Sequence, residues 1–410
     1  MMAKGVSNEL VKGSFTLFIF MNLFNVFNYF FHFISARLLG PVEYGVLAVI
    51  MSMVFVFAIP ADSIQVIISR YSTKYNLKNK GIIKGLMGKA FKKFTLVGIV
   101  ALIVFLAISP LISKFLSIDL RLIMLSGLIL FSFFIIPITK GVMQGTKRFF
   151  SLGLASIFES FIKLCFAALF ILLGWGVLGA VFGVLVGFFV SLLFSLLFLK
   201  DILKEKTIKN EEFGGIYSYS FPVLVSIIAI TLFYSFDVII AKRFFADEIV
   251  GQYAVISLIG KMLFFGTIPI SRAMFPLISE KHDENKKLEG WNMLVKTFLI
   301  VLALDIIILI CFAIFPDLII NILYGKGYLG LSSYLVYMGI AMSFLSFTNI
   351  ALFYNLSTHR YKISFVILFF SVLQILLLML FSKTIGQFIL TFVIINFITF
   401  IASLFSLRIR

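Results

Sequence analysis

The residues of this 410-residue chain that could carry chemistry are ionisable side chains set inside long apolar runs. Four are acids and two are lysines: Asp62, Glu159, Asp237, Asp305, Lys163 and Lys261. In a bilayer each such charge costs roughly 2.5–3.5 kcal/mol at a helix centre on insertion scales, so each is expected to face an interior, a partner or water. These groups are suited to binding ions and charged ligands within a membrane.

Signatures of covalent catalysis and of nucleotide binding are absent from the sequence. No glycine-rich loop ends in GK[ST], the two cysteines lack metal-ligand spacing, and the three histidines are scattered. An ATP-driven pump or a membrane enzyme would need at least one of these features. The sequence therefore predicts a protein that is not an enzyme and has no cofactor. Asp62, Asp237 and Asp305 could bind Na⁺ or H⁺, or could neutralise one of the lysines.

The two lysines differ in their nearest acids. Glu159 and Lys163 are spaced i,i+4, so they form either a self-neutralised pair or a site in which Lys163 binds an anionic headgroup and Glu159 holds the lysine when the site is empty. Lys261 has no acid three or four residues away. As an unpaired cation at membrane depth, it requires Asp62 or Asp305 from another helix, or the phosphate of a ligand.

The composition identifies the elements that must hold these residues. At 61% hydrophobic and 13% charged residues, the chain has too little polar surface for a soluble globule and is predicted to be an integral membrane protein. The net charge of +17 falls between the apolar runs, which indicates membrane topology and argues against a nucleic-acid partner. Cys165 and Cys311 lie inside apolar runs and give no support for a disulfide.

Twelve apolar runs are each long enough to cross a bilayer as a helix. They are 15–38, 44–69, 94–113, 121–143, 149–173, 176–199, 216–241, 249–275, 293–316, 329–354, 362–381 and 386–407. With the N-terminus inside, 26 of the 35 Lys and Arg residues fall in inside segments and 7 in outside turns. The positive-inside rule then predicts a multi-pass protein of the cell membrane with both termini cytoplasmic.

The segment Arg70–Lys93 has eight basic residues and no acid. Its apolar residues recur at helical spacing: Ile82, Ile83, Leu86, Met87, Ala90 and Phe91. This pattern predicts either an amphipathic helix lying on the inner leaflet against anionic lipids, or a plain positive-inside anchor.

The chain shows signs of an internal repeat. The polar stretch after Lys200 predicts a linker, which divides the chain into a six-helix bundle at 1–199, a cytoplasmic linker at 200–215 and a second six-helix bundle at 216–410. A shift of 206 residues pairs Arg37 with Arg243, and brings Pro60 within three residues of the counterpart of Pro269. Interrupted helices at matching places are typical of repeat-built carriers, so these prolines are predicted hinges in two parallel repeats. The two arginines could bind a diphosphate bidentately, or could extend to the outer interface.

The stretch from Ala36 to Gly45, ARLLGPVEYG, is similar to an A-R-x-L-G-P-x-x-Y-G pattern that follows the first span of oligosaccharide flippases. The stretch from Ser271 to Ser279, SRAMFPLIS, resembles the end of the eighth span in the same proteins. The chain thus resembles the polysaccharide branch of the multidrug, oligosaccharidyl-lipid and polysaccharide exporter superfamily. This resemblance implies an all-α membrane protein with a V-shaped pair of six-helix bundles around a central cavity. It also implies alternating access and flipping of a polyprenyl-diphosphate-linked oligosaccharide for cell-surface polysaccharide biosynthesis, with glycosyltransferase or glycan-polymerase partners.

Two other functions compete with this interpretation. A cation-coupled multidrug antiporter of the same fold would show an acid-dominated interior, and the membrane-depth acids outnumber the lysines by four to two. A non-transporting scaffold for glycan-assembly enzymes is disfavoured because no soluble domain is predicted. The motif at Arg37 favours the flippase over the antiporter, because it is longer and lies in register with the first predicted hairpin.

Overall fold

The computed structural model describes residues 2–76, 80–208, 217–284 and 286–407, and the regular elements within these ranges are helical, without strands. The predicted all-α class is therefore confirmed. Parts of three predicted features lie outside the described residues. These parts are residues 209–215 of the predicted linker, residues 77–79 of the basic segment, and the C-terminal charges of Arg408 and Arg410.

The chain divides into two compact units, Met1–Ile216 and Tyr217–Arg410, which are called unit 1 and unit 2 here. Unit 1 contains α1 (Met2–Phe57), α2 (Ile59–Asn76), α3 (Lys80–Leu116), α4 (Leu120–Gly145), α5 (Phe149–Phe170), α6 (Gly176–Phe198) and α7 (Lys200–Lys204). Unit 2 contains α8 (Tyr217–Phe244), α9 (Asp247–Asp283), α10 (Lys287–Ile314), α11 (Pro316–Leu323), α12 (Leu335–Ser357), α13 (Lys362–Leu380) and α14 (Ile385–Phe405).

Ten stretches among the described residues are long and apolar enough to cross a membrane, and two of them reverse direction inside unit 1. In Ile19–Tyr75 the backbone leaves helical geometry at Gly40, where φ is 74°. Twelve residues along a straight helix would span about 18 Å, yet the His32 Nδ1 and Tyr44 hydroxyl atoms are 3.2 Å apart. The chain therefore folds back at Gly40-Pro41, between the predicted spans 15–38 and 44–69.

The second reversal lies in Phe149–Phe198, between α5 and α6. Gly174 takes a φ of 86°, and the helices then run antiparallel so closely that a Cβ on Gly187 would lie 2.6 Å from the Glu159 carbonyl oxygen. Each of these two stretches is long enough to cross a membrane twice, so the ten stretches are compatible with the twelve predicted crossings.

The two predicted prolines differ in their local structure. Helix α1 ends at Phe57 and α2 begins at Ile59, so the chain is interrupted next to Pro60, which occupies a first-turn position where its missing N–H has no helical acceptor. By contrast, α9 is one helix from Asp247 to Asp283 and runs through Pro269. The expected interruption at Pro269 is absent, because a proline that removes one hydrogen bond need not break a long membrane helix. The hinge roles of both residues stay predictions.

The basic segment folds differently from an interfacial helix. Helix α3 begins at Lys80 and continues through its membrane stretch to Leu116. Ile83, Leu86 and Met87 on its apolar face are buried against α2, α4 and α7. The prediction that this face lies in lipid is therefore wrong, and the plain anchor remains. Contact of its lysines with anionic lipids stays a prediction.

The end of unit 1 is fastened to α3 and to the α4–α5 turn. Both guanidinium nitrogens of Arg148 donate to the Asp201 carboxylate, at 2.7 and 2.6 Å, and Lys80 donates to the same carboxylate at 2.9 Å. These hydrogen bonds hold the pKa of Asp201 well below its usual range, and the one from Arg148 has the largest effect. Further along, the Ile208 N–H donates to the Gly81 carbonyl at 3.1 Å. The first part of the predicted linker is thus packed on unit 1.

In unit 2 the most enclosed helix is α12, which packs against α9, α10 and α14. Gly339 of α12 faces Leu309 and Phe312 of α10, and Phe347 of α12 stacks on Phe298 of α10. The two helices therefore run antiparallel in a fixed register. That register sets Ser343, midway between Gly339 and Phe347, opposite the middle of α10.

Candidate functional site

The Asp237 carboxylate is the centre of a buried polar cluster between α8 and α9. Three α9 side chains donate to it: Tyr253 at 3.1 Å and Ser257 at 2.5 Å to Oδ2, and Lys261 at 3.0 Å to Oδ1. These donors are four residues apart, so they share one face of α9. The side chains of Asp237 and Lys261 are 0% and 3% exposed. We call these four residues the Asp237 cluster.

Lys261 is therefore not the unpaired cation that the sequence indicates. Its partner is Asp237, not Asp62 or Asp305, because α8 and α9 form an antiparallel hairpin whose turn at Phe245-Ala246 brings 237 opposite 253–261. A search for acids along one helix cannot detect a partner across a hairpin. Since both charges are enclosed and compensate each other, Lys261 does not present a net positive charge to a ligand.

The pair expected within α5 is also absent. Glu159 forms an ion pair with Lys140 of α4, with 2.7 Å between Oε2 and Nζ, and among the described residues no ion pair joins Glu159 to Lys163. The i,i+4 spacing permits a pair on α5, but the Glu159 carboxylate instead binds Lys140 of α4. Lys140 lies near the end of the predicted span 121–143, and no spacing along the sequence indicates that it meets Glu159.

Lys163 is held by neutral groups of α1. Its ammonium donates to the Asn28 side-chain oxygen and lies 4.4 Å from the centre of the Phe31 ring. The Asn28 amide group donates to the Phe24 carbonyl at 2.9 Å, which orients the Asn28 oxygen toward the lysine. Lys163 is partly exposed, and a ring face and an amide oxygen do not cancel its charge. This arrangement, Asn28, Phe31 and Lys163, is called the Lys163 site.

The remaining predicted side chains lie in other places. Arg37 precedes the Gly40 reversal in unit 1, Arg243 precedes the α8–α9 turn in unit 2, and both are exposed. Asp62 is exposed in the first turn of α2. Lys242, next to Arg243, is buried and forms an ion pair with Asp247. Neither arginine is part of the Lys163 site or of the Asp237 cluster.

Asp305 is the most isolated of the predicted acids. It lies midway along α10, is 1% exposed, and neither of its carboxylate oxygens has a hydrogen-bond partner among the described residues. The Ser343 hydroxyl of α12 is the polar group that faces it, without a hydrogen bond of standard geometry.

Buried amides form a further polar chain that a search for ionisable groups does not detect. The Gln374 amide of α13 donates to the Phe233 carbonyl at 3.0 Å, one turn before Asp237, and the Asn396 amide of α14 donates to Gln374 at 3.3 Å. Both amides lie inside apolar runs, and this position is the sequence signal that could have identified them as buried polar groups. Within the described part of the chain, no group of three or more His, Cys, Asp or Glu residues could hold a metal ion.

Several solved structures of similar fold are described as transporters. The chain is similar to the inward-facing and outward-facing conformations of a multidrug resistance MATE family transporter of the MOP superfamily. For the inward-facing structure the TM-score is 0.76 with 14% identity, covering 93% of this chain and 94% of that one. A MOP superfamily transporter from Pyrococcus furiosus Vc1 gives a TM-score of 0.65 with 14% identity, covering 97% and 94%. At these identities the likeness shows a shared fold.

Sequence comparison identifies the family. The search of curated proteins found no match. The model of a family described as polysaccharide biosynthesis protein matches residues 10–282, well over half of the chain. This match includes both stretches that resemble oligosaccharide flippases, and the fold agrees with it. The chain therefore belongs to the polysaccharide biosynthesis protein family.

Proposed function

We propose that this multi-pass membrane protein is a flippase that moves a polyprenyl-diphosphate-linked oligosaccharide from the cytoplasmic to the outer leaflet by alternating access. The observation that carries the proposal is the Lys163 site, a partly exposed ammonium within a membrane stretch whose contacts are an amide oxygen and a ring face. The family's link to polysaccharide biosynthesis supplies the class of cargo.

A phosphate oxygen suits the Lys163 site better than the amide oxygen that now occupies it. Hydrogen bonds in which both groups are charged are roughly twice as strong as neutral ones, so a diphosphate would displace Asn28 from the ammonium. Asn28 then acts as the partner of the lysine in the empty site, the role that the sequence assigns to Glu159. Glu159 forms its ion pair with Lys140, although its charge also acts on Lys163 one turn further along α5.

Lys261 has a different role from the one that the sequence suggests. Because Asp237 compensates its charge, we assign Lys261 to the internal structure of unit 2 and not to substrate binding. Arg37 and Arg243 add exposed positive charge next to the two hairpin turns, where they would attract a diphosphate headgroup.

Orientation and partners follow from the same proposal. The excess of Lys and Arg in inside segments supports cytoplasmic termini, with the glycan delivered to the outer leaflet of the cell membrane. Glycosyltransferases would build the lipid-linked cargo on the cytoplasmic side, and a glycan polymerase would consume it outside.

A cation-coupled multidrug antiporter is the second candidate, favoured by the fold shared with multidrug transporters and by the four membrane-depth acids. A carboxylate must be available to attract a cationic drug. Glu159 and Asp237 are instead bound to Lys140 and Lys261. This commitment of two of the four acids favours the flippase.

The test is flipping of a fluorescent polyprenyl-diphosphate glycan in proteoliposomes. Lys163→Gln should lower the rate at least ~10-fold, which corresponds to ~1.4 kcal/mol of lost interaction, and Lys163→Arg should retain most of it because the charge is kept. Lys92→Gln, which removes an exposed lysine of α3, is the control and should flip as the wild type does.

Two results would contradict the proposal. One is wild-type flipping by Lys163→Gln. The other is wild-type protein that leaves the glycolipid in place and exports a cationic dye, which would establish the antiporter instead.

A further inference from the structure

A polar cleft lies in unit 2, where the end of α9, the first turns of α10 and the end of α12 meet. Its polar and charged lining residues are His282, Lys287, Tyr354, Thr358 and Arg360. Among the described residues that line the cleft, none is an acid. The cleft includes no residue of the Lys163 site or of the Asp237 cluster, and its lining suits an anion.

The end of α12 directs Arg360 to this cleft. Helix α12 ends at Ser357, and the backbone of His359 takes a left-handed conformation with a φ of 59°. The His359 N–H donates to the Leu356 carbonyl at 3.2 Å. The Arg360 N–H donates to the Asn355 carbonyl at 2.7 Å. This pair of hydrogen bonds forms a Schellman motif, which turns the chain away from the helix axis and brings Arg360 beside the last turn of α12.

Helix α10 adds positive potential and a lysine that no described acid neutralises. The helix has 28 residues and begins at Lys287, and its N-cap residue Lys286 makes no side-chain capping bond. The N–H groups of such a first turn, together with the helix dipole, attract anions. Lys281 binds Glu284 and Glu289. Lys286 also binds Glu284. Lys287 is exposed and forms no ion pair with a described residue.

Tyr354 supplies a buried hydrogen-bond donor that the described residues leave unused. This residue is 4% exposed, and its ring packs edge-on against Trp291 with 6.2 Å between the ring centres. Its backbone carbonyl accepts hydrogen bonds from Ser357 and Thr358, whereas no described residue bonds to its hydroxyl group. A buried hydroxyl group without a partner costs free energy because its bond to water is lost. A ligand with an acceptor oxygen in the cleft would restore that bond.

The depth of the cleft indicates which anions can reach it. Trp291 comes two residues before the predicted span 293–316, and Tyr354 is the last residue of the predicted span 329–354. Trp and Tyr are enriched where a membrane meets water, so the cleft is expected at the level of the lipid headgroups. The excess of Lys and Arg in inside segments supports a cytoplasmic location for this end of unit 2, and the cytoplasmic leaflet carries anionic lipids.

We propose that this cleft binds the phosphate group of an anionic phospholipid, with free phosphate as the other source of the same chemistry. The Lys287 ammonium and the Arg360 guanidinium would donate charge-assisted hydrogen bonds to the phosphate oxygens, and the Tyr354 hydroxyl group would donate one more. A phosphate held in this way ties the ends of α10 and α12 together at the membrane face. This inference goes beyond the proposed flippase function, and its tests require no transport.

The first test uses Trp291 as a reporter of the lipid beside it. The chain has two tryptophans, so Trp175→Phe leaves Trp291 as the single one. In vesicles, brominated phosphatidylglycerol should quench this protein with an apparent affinity about 5-fold higher than brominated phosphatidylcholine, the ratio that one lysine contributes near anionic headgroups. Lys287→Gln should abolish this preference and Tyr354→Phe should weaken it, whereas Lys287→Arg should retain it. Lys206→Gln, which removes an exposed lysine of unit 1, is the control and should also retain it.

The second test distinguishes a lipid from free phosphate. Thermal unfolding is measured in phosphatidylcholine nanodiscs, with inorganic phosphate or with chloride at equal ionic strength. A lipid ligand predicts the same melting temperature in both salts. A higher melting temperature in phosphate that is lost in Lys287→Gln would establish free phosphate as the ligand of the same site. The proposal would be overturned by a lipid preference or a phosphate effect that persists undiminished in Lys287→Gln, or by the absence of both in the wild type.

Discussion

Removal of the Lys261 ammonium should destabilise unit 2 far more than removal of another buried lysine. In Lys261→Met the Asp237 carboxylate, 0% exposed, keeps its hydrogen bonds from Tyr253 and Ser257 but loses its counter-ion. Breaking a buried ion pair by removing one partner typically costs about 3–5 kcal/mol. At about 2–4 °C per kcal/mol for a unit of 150–250 residues, the melting temperature should fall by about 6–20 °C.

Lys242 provides a matched control for this measurement. Its side chain is 2% exposed, like that of Lys261, but its partner Asp247 is 46% exposed and would be hydrated after the lysine is lost. Lys242→Met should therefore cost only about 0–1 kcal/mol. The double variant Asp237→Asn, Lys261→Met removes both charges. Its Asn side-chain oxygen can still accept hydrogen bonds from the Tyr253 and Ser257 hydroxyl groups, so it should recover most of the lost stability.

The assay is thermal unfolding of purified protein in one detergent, read out by the fluorescence of Trp291, the partly buried tryptophan of unit 2, or by aggregation onset. Two results would refute the reasoning. One is a Lys261→Met variant as stable as Lys242→Met, which would mean that Asp237 is not enclosed. The other is a double variant as unstable as Lys261→Met, which would mean that the lysine contributes packing and not charge.

Two further predictions concern unit 1. A Cβ on Gly187 would lie 2.6 Å from the Glu159 carbonyl oxygen and 2.9 Å from the Lys163 Cβ. Gly187→Ala should therefore lower the free energy of unfolding by about 1–3 kcal/mol through overpacking, and should slow flipping. Gly88 has open space around it, so Gly88→Ala should change neither the melting temperature nor the flipping rate. Because Arg148 depresses the pKa of Asp201, the stability that Asp201 contributes is present above its unfolded pKa of about 3.9 and is lost as the pH falls through the lower folded value. Hydrogen exchange of the Ile208 amide at neutral pH should accelerate in Arg148→Met and stay at the wild-type rate in Lys92→Met; unchanged exchange in Arg148→Met would show that the Asp201 contact does not hold this segment.

The helices could be predicted because hydropathy is a local property of the sequence. Each of the twelve crossings is a run of apolar residues, and Gly40-Pro41 and Gly174 mark reversals that a helix cannot pass without a change of backbone geometry. The family resemblance rests on the same local stretch at Arg37. The interruption expected at Pro269 failed because a proline permits a break and does not demand one.

The partners of the charged residues could not be predicted, because they depend on which helices are neighbours and in what register. Glu159 pairs with Lys140 and not with Lys163, although the sequence spacing favours the latter. Lys261 pairs across a hairpin with Asp237. Both carboxylate oxygens of Asp305 likewise lack a hydrogen-bond partner among the described residues, which depends on how α10 packs against its neighbours. Residue types alone therefore locate the charges inside the apolar runs but do not show what each one binds.

Recognition of a diphosphate by the Lys163 ammonium is tested by the affinity of the wild type and Lys163→Met for two lipids in nanodiscs. The lipids are a polyprenyl-diphosphate glycan and a polyprenol without the diphosphate. The wild type should bind the diphosphate lipid at least ~10-fold more tightly, a difference of ~1.4 kcal/mol, and Lys163→Met should lose this preference while the Asp237→Asn, Lys261→Met double variant retains it. An undiminished preference in Lys163→Met would contradict the account.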